Sequence, residues 1–300
     1  MPKSIGLGFV VWLVLLAFHW PFTPFQLTYV ELLILAAPLW LIPFIWQVEN
    51  GLGKKYLKLA LFSAIALTIS FLLPRGQWAA TLTLPWLLLI SYLAIQAFGI
   101  YLSAKTIDWA KRCQLAAFAY LPVGAFWALC DRLDFQPLGF DPTIVLLTVA
   151  HFHYAGFILP WLCKCLLEFF PSRWAVLFSL GVVLGIPLVA LGITTSHFHC
   201  PTYWESVFAS IMAISAAGIG FLHLCLGWQH RQHRWAFYWI LAGLALSVGM
   251  TLALLYGWRY YWPIPMINIP FMYALHGSLN ALGFAIPASL GWYYFKSTPR

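Results

Sequence analysis

The feature that most constrains this chain is a series of apolar runs, each about 20 residues long, which follow one another from end to end. An α-helix needs about 20 mostly apolar residues to cross the hydrocarbon core of a bilayer. Ten such runs are present, and the connections between them are short. The sequence therefore predicts an all-α, polytopic transmembrane helix bundle that forms a single transmembrane domain over residues 1–300. The predicted spans are residues 4–20, 26–46, 56–73, 81–102, 113–130, 142–163, 174–194, 203–226, 235–256 and 267–294.

Composition excludes the soluble alternatives. Apolar residues make up 63% of the chain and charged residues only 8%, whereas a soluble domain is about 25% charged. So few charges cannot cover the surface of a soluble enzyme or of a nucleic-acid-binding protein. We therefore expect a multi-pass protein of the bacterial inner membrane, with the lipid bilayer as its partner and no nucleic acid.

The basic residues indicate how the chain is oriented. The formal net charge is +8, and if the N-terminus is cytoplasmic, 13 of the 16 Lys and Arg residues fall on the inner side. This distribution follows the positive-inside rule, so we expect both termini in the cytoplasm. Only Arg75, Arg132 and Arg259 fall on the outer side. We expect the outer segment around Arg132, residues 131–134, to be a solvated acidic face.

Most of the histidines share one depth zone. His151 and His276 each lie about nine residues, or about 13 Å, below the outer end of their predicted helix. Ionisable side chains at such depth are costly and usually face partners inside a bundle. The six histidines that fall in the outer half are His19, His151, His153, His197, His199 and His276.

Imidazole and carboxylate groups contributed by separate helices are ligand types that bind zinc or non-haem iron. We therefore predict one divalent metal site, zinc or iron, in an outer cavity surrounded by the second, sixth, eighth and tenth helices. The predicted metal ligands are His151, His153, His197, His199 and His276.

Other polar residues at the same depth complete the predicted site. Glu31 and Glu205 are the candidates for a carboxylate ligand or a catalytic base. Tyr154, Tyr273 and Asn280 are predicted to contact substrate or metal-bound water. The alternative is that each histidine satisfies a buried hydrogen bond and binds no metal.

Helix geometry distinguishes His151 from His153. Two residues two positions apart differ by about 200° around a helix, so these side chains point to opposite faces. The His151 face also carries Thr148 and Tyr154, which makes it the more polar face. We therefore prefer His151 for the shared site, and His153 serves a second site or a local hydrogen bond.

Cys130 and Cys200 both fall near the outer face. They could pair in an oxidising compartment, Cys200 could add a thiolate to the metal site, or both could remain unpaired. The spacing does not decide among these arrangements.

Three functions fit the pattern. The first is a metal-dependent membrane enzyme that acts on a lipophilic small molecule, and the second is a haem-binding redox protein. The third is a proton-coupled transporter in which histidines and carboxylates relay protons. Against a transporter, the sequence shows no convincing internal repeat, because the flanks of the two His-Phe-His tripeptides, at 151–153 and 197–199, do not match.

One segment resembles a haem-binding helix. Residues 148–154, with the sequence TVAHFHY, are similar to the haem-ligating helix of haem–copper oxidase subunit I, where two such histidines hold two haems from opposite faces. The resemblance implies haem as the alternative cofactor. The chain departs from that family because it has no adjacent His-His pair and no His-Pro-Glu segment.

A longer resemblance is to the YndJ-like bacterial membrane proteins. Residues 150–157 and 276–284 are similar to two motifs of that family and occur in the same order. The resemblance implies no reaction, because the family has no settled activity. The site positions that it supports are His151, His153, His276 and Asn280.

Overall fold

A computed structural model describes residues 3–19, 27–48, 53–104 and 106–298, and over these residues it contains helices and no strand. Within the same ranges, nine helices are long and apolar enough to cross a membrane, and the helix at the N-terminal end is shorter. The prediction of an all-α transmembrane bundle is confirmed. The chain ends, residues 1–2 and 299–300, lie outside the described ranges, and their cytoplasmic location stays a prediction.

The observed helices match the ten predicted spans to within six residues at every end. We number them in chain order. They are α1 (Lys3–His19), α2 (Tyr29–Gln47), α3 (Lys54–Leu72), α4 (Gln77–Leu102), α5 (Trp109–Arg132), α6 (Pro142–Phe169), α7 (Arg173–His197), α8 (Tyr203–Gln229), α9 (Arg234–Gly257) and α10 (Ile269–Ser297).

Internal contacts group the chain into two compact units. Unit 1 comprises Met1–Lys105 and Phe118–Phe157, and unit 2 comprises Thr106–Ala117 and Ile158–Arg300. Unit 1 therefore contains α1–α4 and unit 2 contains α7–α10, while α5 and α6 each contribute to both.

Helix α8 packs against both α7 and α9 in unit 2. Its glycines allow this close approach, because a Cβ at Gly218 would lie 2.5 Å from the ring of Phe178, and one at Gly220 would lie 3.0 Å from the carbonyl of Gly243. Small residues at helix contacts are typical of membrane bundles.

Helix α2 is the most buried span of unit 1, and it contains a π-helical turn at Ala37–Leu41. Pro38 has no N–H group, and the N–H of Ala37 bonds to the carbonyl of Ile34. The carbonyl of Leu33 therefore loses its helical donor. It accepts a hydrogen bond of 2.7 Å from the Tyr154 hydroxyl of α6 instead.

Buried charges of unit 1 form a network at the predicted outer ends of α2 and α5. Arg132 is 3% exposed and donates to Asp131 through Nε at 2.8 Å and through Nη2 at 2.7 Å. The same Nη2 lies 3.8 Å from Oε1 of Glu31. Asp131, also 3% exposed, accepts a second hydrogen bond of 2.9 Å from Arg75. The buried charges are thus arranged so that each has a partner of opposite sign.

This network corrects the interpretation of residues 131–134 as a solvated face. That interpretation is wrong for Asp131 and Arg132, which can be buried because they neutralise each other. It holds for Asp134, whose side chain is 65% exposed and lies 3.9 Å from Arg75. The sequence pattern did not separate the two cases, because partners such as Glu31 and Arg75 are distant along the chain.

Replacing Arg132 by Met should destabilise the protein strongly. The substitution leaves Asp131 and Glu31 buried with one cation fewer, and breaking a buried ion pair costs about 3–5 kcal/mol. The measurement is the free energy of unfolding in detergent. The matched control is Asp134→Asn, which removes a carboxylate that is 65% exposed and lies 3.9 Å from Arg75, and it should cost less than about 1 kcal/mol. Equal effects of the two substitutions would contradict a structural role for the buried network.

Candidate functional site

Glu31, one of the two predicted catalytic carboxylates, caps α2. Its Oε2 accepts hydrogen bonds from the backbone N–H of Thr28 at 2.6 Å and from the Thr28 hydroxyl at 2.9 Å. Thr28 Oγ1 in turn accepts from the N–H of Glu31 at 3.3 Å, which completes a capping box. With Arg132 on its other oxygen, Glu31 has a fixed structural role in the first turn of its helix.

Glu205, the second predicted carboxylate, occupies the corresponding place at the start of α8. Its Oε1 lies 2.7 Å from Nη1 of Arg259. Burial lowers the pKa of the Arg259 guanidinium, but the hydrogen bond and charge of Glu205 more than offset this effect, so the pKa lies above its ordinary value. Arg75, Arg132 and Arg259, the three outer-side exceptions to the positive-inside pattern, are therefore each paired with a carboxylate.

His153 uses both ring nitrogens inside unit 1. Its Nδ1 lies 2.8 Å from the carbonyl of Val149, and its Nε2 accepts a hydrogen bond of 3.2 Å from the indole Nε1 of Trp86. The side chain is completely buried. This is the pattern of a neutral imidazole with one donor and one acceptor. To ligate a metal through Nε2, His153 would have to give up the Trp86 bond.

His223 has the same arrangement inside unit 2, which sequence reasoning missed. Its Nδ1 lies 2.9 Å from the carbonyl of Ile219, and its Nε2 accepts from Nε1 of Trp292 at 3.2 Å. His223 is also completely buried. No local pattern could have indicated the pair, because Trp292 lies two helices further along the chain.

His276 and Asn280 form a polar pair on α10. The Nδ1 of His276 lies 2.8 Å from the carbonyl of Gly249 on α9. With that nitrogen assigned as the donor, Nε2 is an acceptor and lies 2.9 Å from the amide nitrogen of Asn280. The Asn280 Oδ1 atom is buried and has no hydrogen-bond partner among the described residues. This pair therefore presents a buried acceptor that a ligand could use.

The remaining predicted site residues lie in different environments. His151 and Tyr273 are partly buried on α6 and α10. His197 and His199 are exposed beyond or at the end of α7, and His199 adopts a left-handed backbone with φ of 59°. Tyr154 donates its hydroxyl hydrogen to Leu33, as described above.

The side chain of His19 lies outside the described part of the structure. Cys130 and Cys200 are free thiols, so the disulfide that the sequence left open is not formed.

The predicted metal ligands divide between the units. His151 and His153 belong to unit 1, while His197, His199 and His276 belong to unit 2. Among the residues that the structure describes, no group of three or more His, Cys, Asp or Glu side chains is placed to hold a metal ion. The joint metal site therefore stays a prediction.

Besides α2, the spans α6 and α10 contain π-helical turns. The turn in α6 covers Tyr154–Ile158, and those in α10 cover Met272–His276 and Leu279–Ala285. In both spans a proline follows closely, at Pro160 and Pro287. A proline ring clashes with the carbonyl four residues earlier, and a wider turn relieves that clash. Such π-helical turns are frequent at functional sites.

The sequence around these interruptions recurs. Residues 156–160 and 283–287 share the pattern Gly-Phe-x-x-Pro, with His153 and Asn280 three positions before the glycine. The preceding helices, α5 and α9, share the pattern Val-Gly-x-x-x-Ala-Leu, at 123–129 and 248–254. Within the sixth and tenth spans, the recurring polar position is thus a histidine in one case and an asparagine in the other.

Contacts inside each unit match across this recurrence. A Cβ at Gly124 would lie 2.8 Å from Nδ1 of His153, and a Cβ at Gly249 would lie 2.9 Å from Oδ1 of Asn280. In each unit, the glycine of the Val-Gly-x-x-x-Ala-Leu pattern therefore lies against the polar residue that precedes the Gly-Phe-x-x-Pro pattern. The absence of a convincing internal repeat therefore stays an expectation, and these matched contacts are the observation against it.

Comparison with known proteins identifies similar sequences. The model of a family described as YndJ-like protein matches residues 31–284. The uncharacterized membrane protein YndJ of Bacillus subtilis (strain 168) is 28% identical over 250 residues, which cover 82% of this chain and 42% of that relative. The chain thus spans less than half the length of this relative. No solved structure matches the chain.

Adding a methyl group at either recurring glycine should destabilise the protein. Gly124→Ala and Gly249→Ala would force His153 or Asn280 to move, and such overpacking costs about 1–3 kcal/mol. The measurement is again the free energy of unfolding in detergent. The control is Gly99→Ala on α4, where a Cβ has no heavy atom within 4 Å. Because alanine favours a helix by up to about 1 kcal/mol over glycine, this control should be neutral or stabilising.

Proposed function

The chain belongs to the YndJ-like protein family, and we propose that it is a membrane transporter for a small lipophilic solute. The observation that carries the proposal is the recurrence of an interrupted span, α6 and α10, with matched glycine contacts in the two units. Transporters often contain repeats, and their solute sites are typically formed by discontinuous helices in corresponding positions.

The direction of the two spans fits this proposal. Helix α10 follows α6 by four spans, an even number, so the sequence predicts that both run from the outer side inward. Such a repeat is of the parallel kind, which is known among transporters. The order of helices also corresponds, since α5 precedes α6 as α9 precedes α10.

The two corresponding positions differ chemically, and this difference supports a solute site in unit 2. His153 is enclosed and bonded to Trp86, so it contributes to the packing of its unit. Asn280 keeps an acceptor oxygen without a partner among the described residues, and it neighbours His276. A solute with a hydrogen-bond donor fits this acceptor, because a buried polar atom gains most from a partner.

A lipophilic solute is favoured by the surroundings of the pair. Helix α10 is the least covered of the nine long spans, with 17% of its most apolar window buried. His276 and Asn280 are each partly exposed on this helix, and we infer that a solute reaches the pair from the hydrocarbon side. His276 is also an ionisable group of this polar stripe, so the proton coupling considered from the sequence would act there.

A test of alternating access needs no knowledge of the solute. Asn280→Cys and Tyr273→Cys are made in a Cys200→Ser background, since Cys200 is an exposed native thiol. A charged, membrane-impermeant thiol reagent is then added to right-side-out or inside-out vesicles. We expect both positions to react from both sides, because a transport site opens alternately. Leu275→Cys, an apolar position that is 40% exposed on the same helix, is the unreactive control.

If Asn280→Cys and Tyr273→Cys were both labelled from one side only, this result would contradict the transporter proposal. It would favour a fixed cavity, as an enzyme would have. Subtracting the signal of the Cys200→Ser parent removes reaction at the remaining native thiols. Labelling of Leu275→Cys to the same extent would show general exposure of α10 and would also contradict a defined site.

The second candidate is the metal-dependent membrane enzyme acting on a lipophilic substrate, with zinc or iron or, alternatively, haem. The observation that favours it is the bond from Nδ1 of His276 to the Gly249 carbonyl, because metal-ligating histidines are usually oriented by such a bond. His151, His197 or His199 would have to join His276, with Glu31 or Glu205 as base.

The metal candidate predicts bound metal or haem in the purified protein. Elemental analysis and the visible absorption spectrum measure it, and His151→Ala and His276→Ala should each lower the content several-fold. Folded protein is selected by size-exclusion chromatography, and His230→Ala, a loop histidine outside the predicted site, is the control. A parent protein without metal or haem would contradict this candidate.

A further inference from the structure

Unit 2 carries an exposed basic surface at its predicted inner end, which we call the basic rim. It combines the start of α7 with the α8–α9 loop, and two tryptophans flank it. Trp174 is 63% exposed and Trp228 is 65% exposed. The basic rim comprises Arg173, Trp174, Trp228, Arg231, His233 and Arg234.

Carboxylates of unit 2 do not neutralise the basic rim. Asp108 lies 3.9 Å from Lys111, and Glu168 lies 2.9 Å from Lys164. The third carboxylate of unit 2, Glu205, lies at the predicted outer end and pairs with Arg259. In the part of the chain that the structure describes, the arginines of the rim have no carboxylate partner. An external anion would therefore meet an uncompensated positive charge.

A buried donor without an acceptor lies beside the rim. Trp235 is 6% exposed, and its indole N–H has no hydrogen-bond partner among the described residues. Its ring stacks on His233, with centroids 5.1 Å apart and planes at 8°, and lies 5.4 Å from the ring of His230. The same ring also lies 4.7 Å from the ring of Trp239 and 5.1 Å from that of Phe295, so it joins the aromatic core of unit 2 to the α8–α9 loop that carries the arginines.

The start of α9 adds further donors at the same place. His233 is its N-cap residue and makes no side-chain capping bond, and the first turn contains no acid. The first backbone N–H groups of a helix and its dipole favour an anion when no side chain caps them. Three features therefore favour the same ligand, a phosphate group: the uncapped start of α9, the Trp235 N–H and the arginines.

We propose that the basic rim binds the phosphate of an anionic phospholipid in the inner leaflet. A lipid is favoured over free phosphate because the exposed Trp174 and Trp228 flank the cations, and tryptophan side chains concentrate at the headgroup level of a bilayer. Arginine also suits a phosphate ester, to which its planar group donates two hydrogen bonds. Binding at this surface is independent of the transporter proposal.

Full-length protein in nanodiscs of phosphatidylcholine and phosphatidylglycerol tests the proposal. Native mass spectrometry counts the phosphatidylglycerol molecules that remain bound after gentle detergent release. Arg231→Gln combined with Arg234→Gln should lower the retained lipid by about tenfold or more, since each basic residue near a membrane surface contributes about 1 kcal/mol. Trp235→Phe keeps the ring but removes the N–H donor, and it should lower retention several-fold.

The matched control is Lys54→Gln combined with Lys55→Gln, at the exposed start of α3 in unit 1. This control also removes two positive charges from the predicted inner face, and it should leave the amount of retained phosphatidylglycerol unchanged. Equal losses in both double variants would show a general charge effect and would overturn the site. Unchanged retention in the Arg231 and Arg234 variant, or displacement of the lipid by excess inorganic phosphate, would overturn it as well.

Discussion

A polar atom inside hydrocarbon has no water to bond with, so it must find its partner within the protein. Pro38 illustrates how this requirement shapes unit 1. By removing one N–H it frees the carbonyl of Leu33, which then accepts the hydroxyl of Tyr154. A residue that the sequence pattern indicated as a substrate contact is therefore used to hold α6 against α2.

The same requirement explains the outer-side charges and the buried histidines. Arg132 and Arg259 lie outside the positive-inside pattern, yet each is paired with a carboxylate. His153 and His223 each bond a carbonyl of their own helix and a tryptophan N–H. These groups are satisfied and contribute to structure. Asn280 differs because its amide oxygen is buried without a partner among the described residues, which is why we place function there.

The recurrence between unit 1 and unit 2 is difficult to recognise in the sequence because it is spread over four helices. Gly-Phe-x-x-Pro and Val-Gly-x-x-x-Ala-Leu each occur twice, but short apolar patterns are common in membrane helices. The structure adds that Gly124 lies against His153 and Gly249 against Asn280. The polar residue in the two copies is not conserved in type, so a comparison of residue identities alone gave no signal at that position.

The sequence by itself determined the ten helices, because a bilayer requires apolar segments of fixed length, and the positions of its basic residues predicted the orientation. It also placed His276 and Asn280 on one stripe of α10, since helical periodicity is a local property. Only the tertiary structure decided which polar groups have partners. Arg132 with Glu31, His153 with Trp86, and His276 with Gly249 each join residues that are distant along the chain. Partnership between distant residues depends on helix packing, which hydropathy and spacing do not encode.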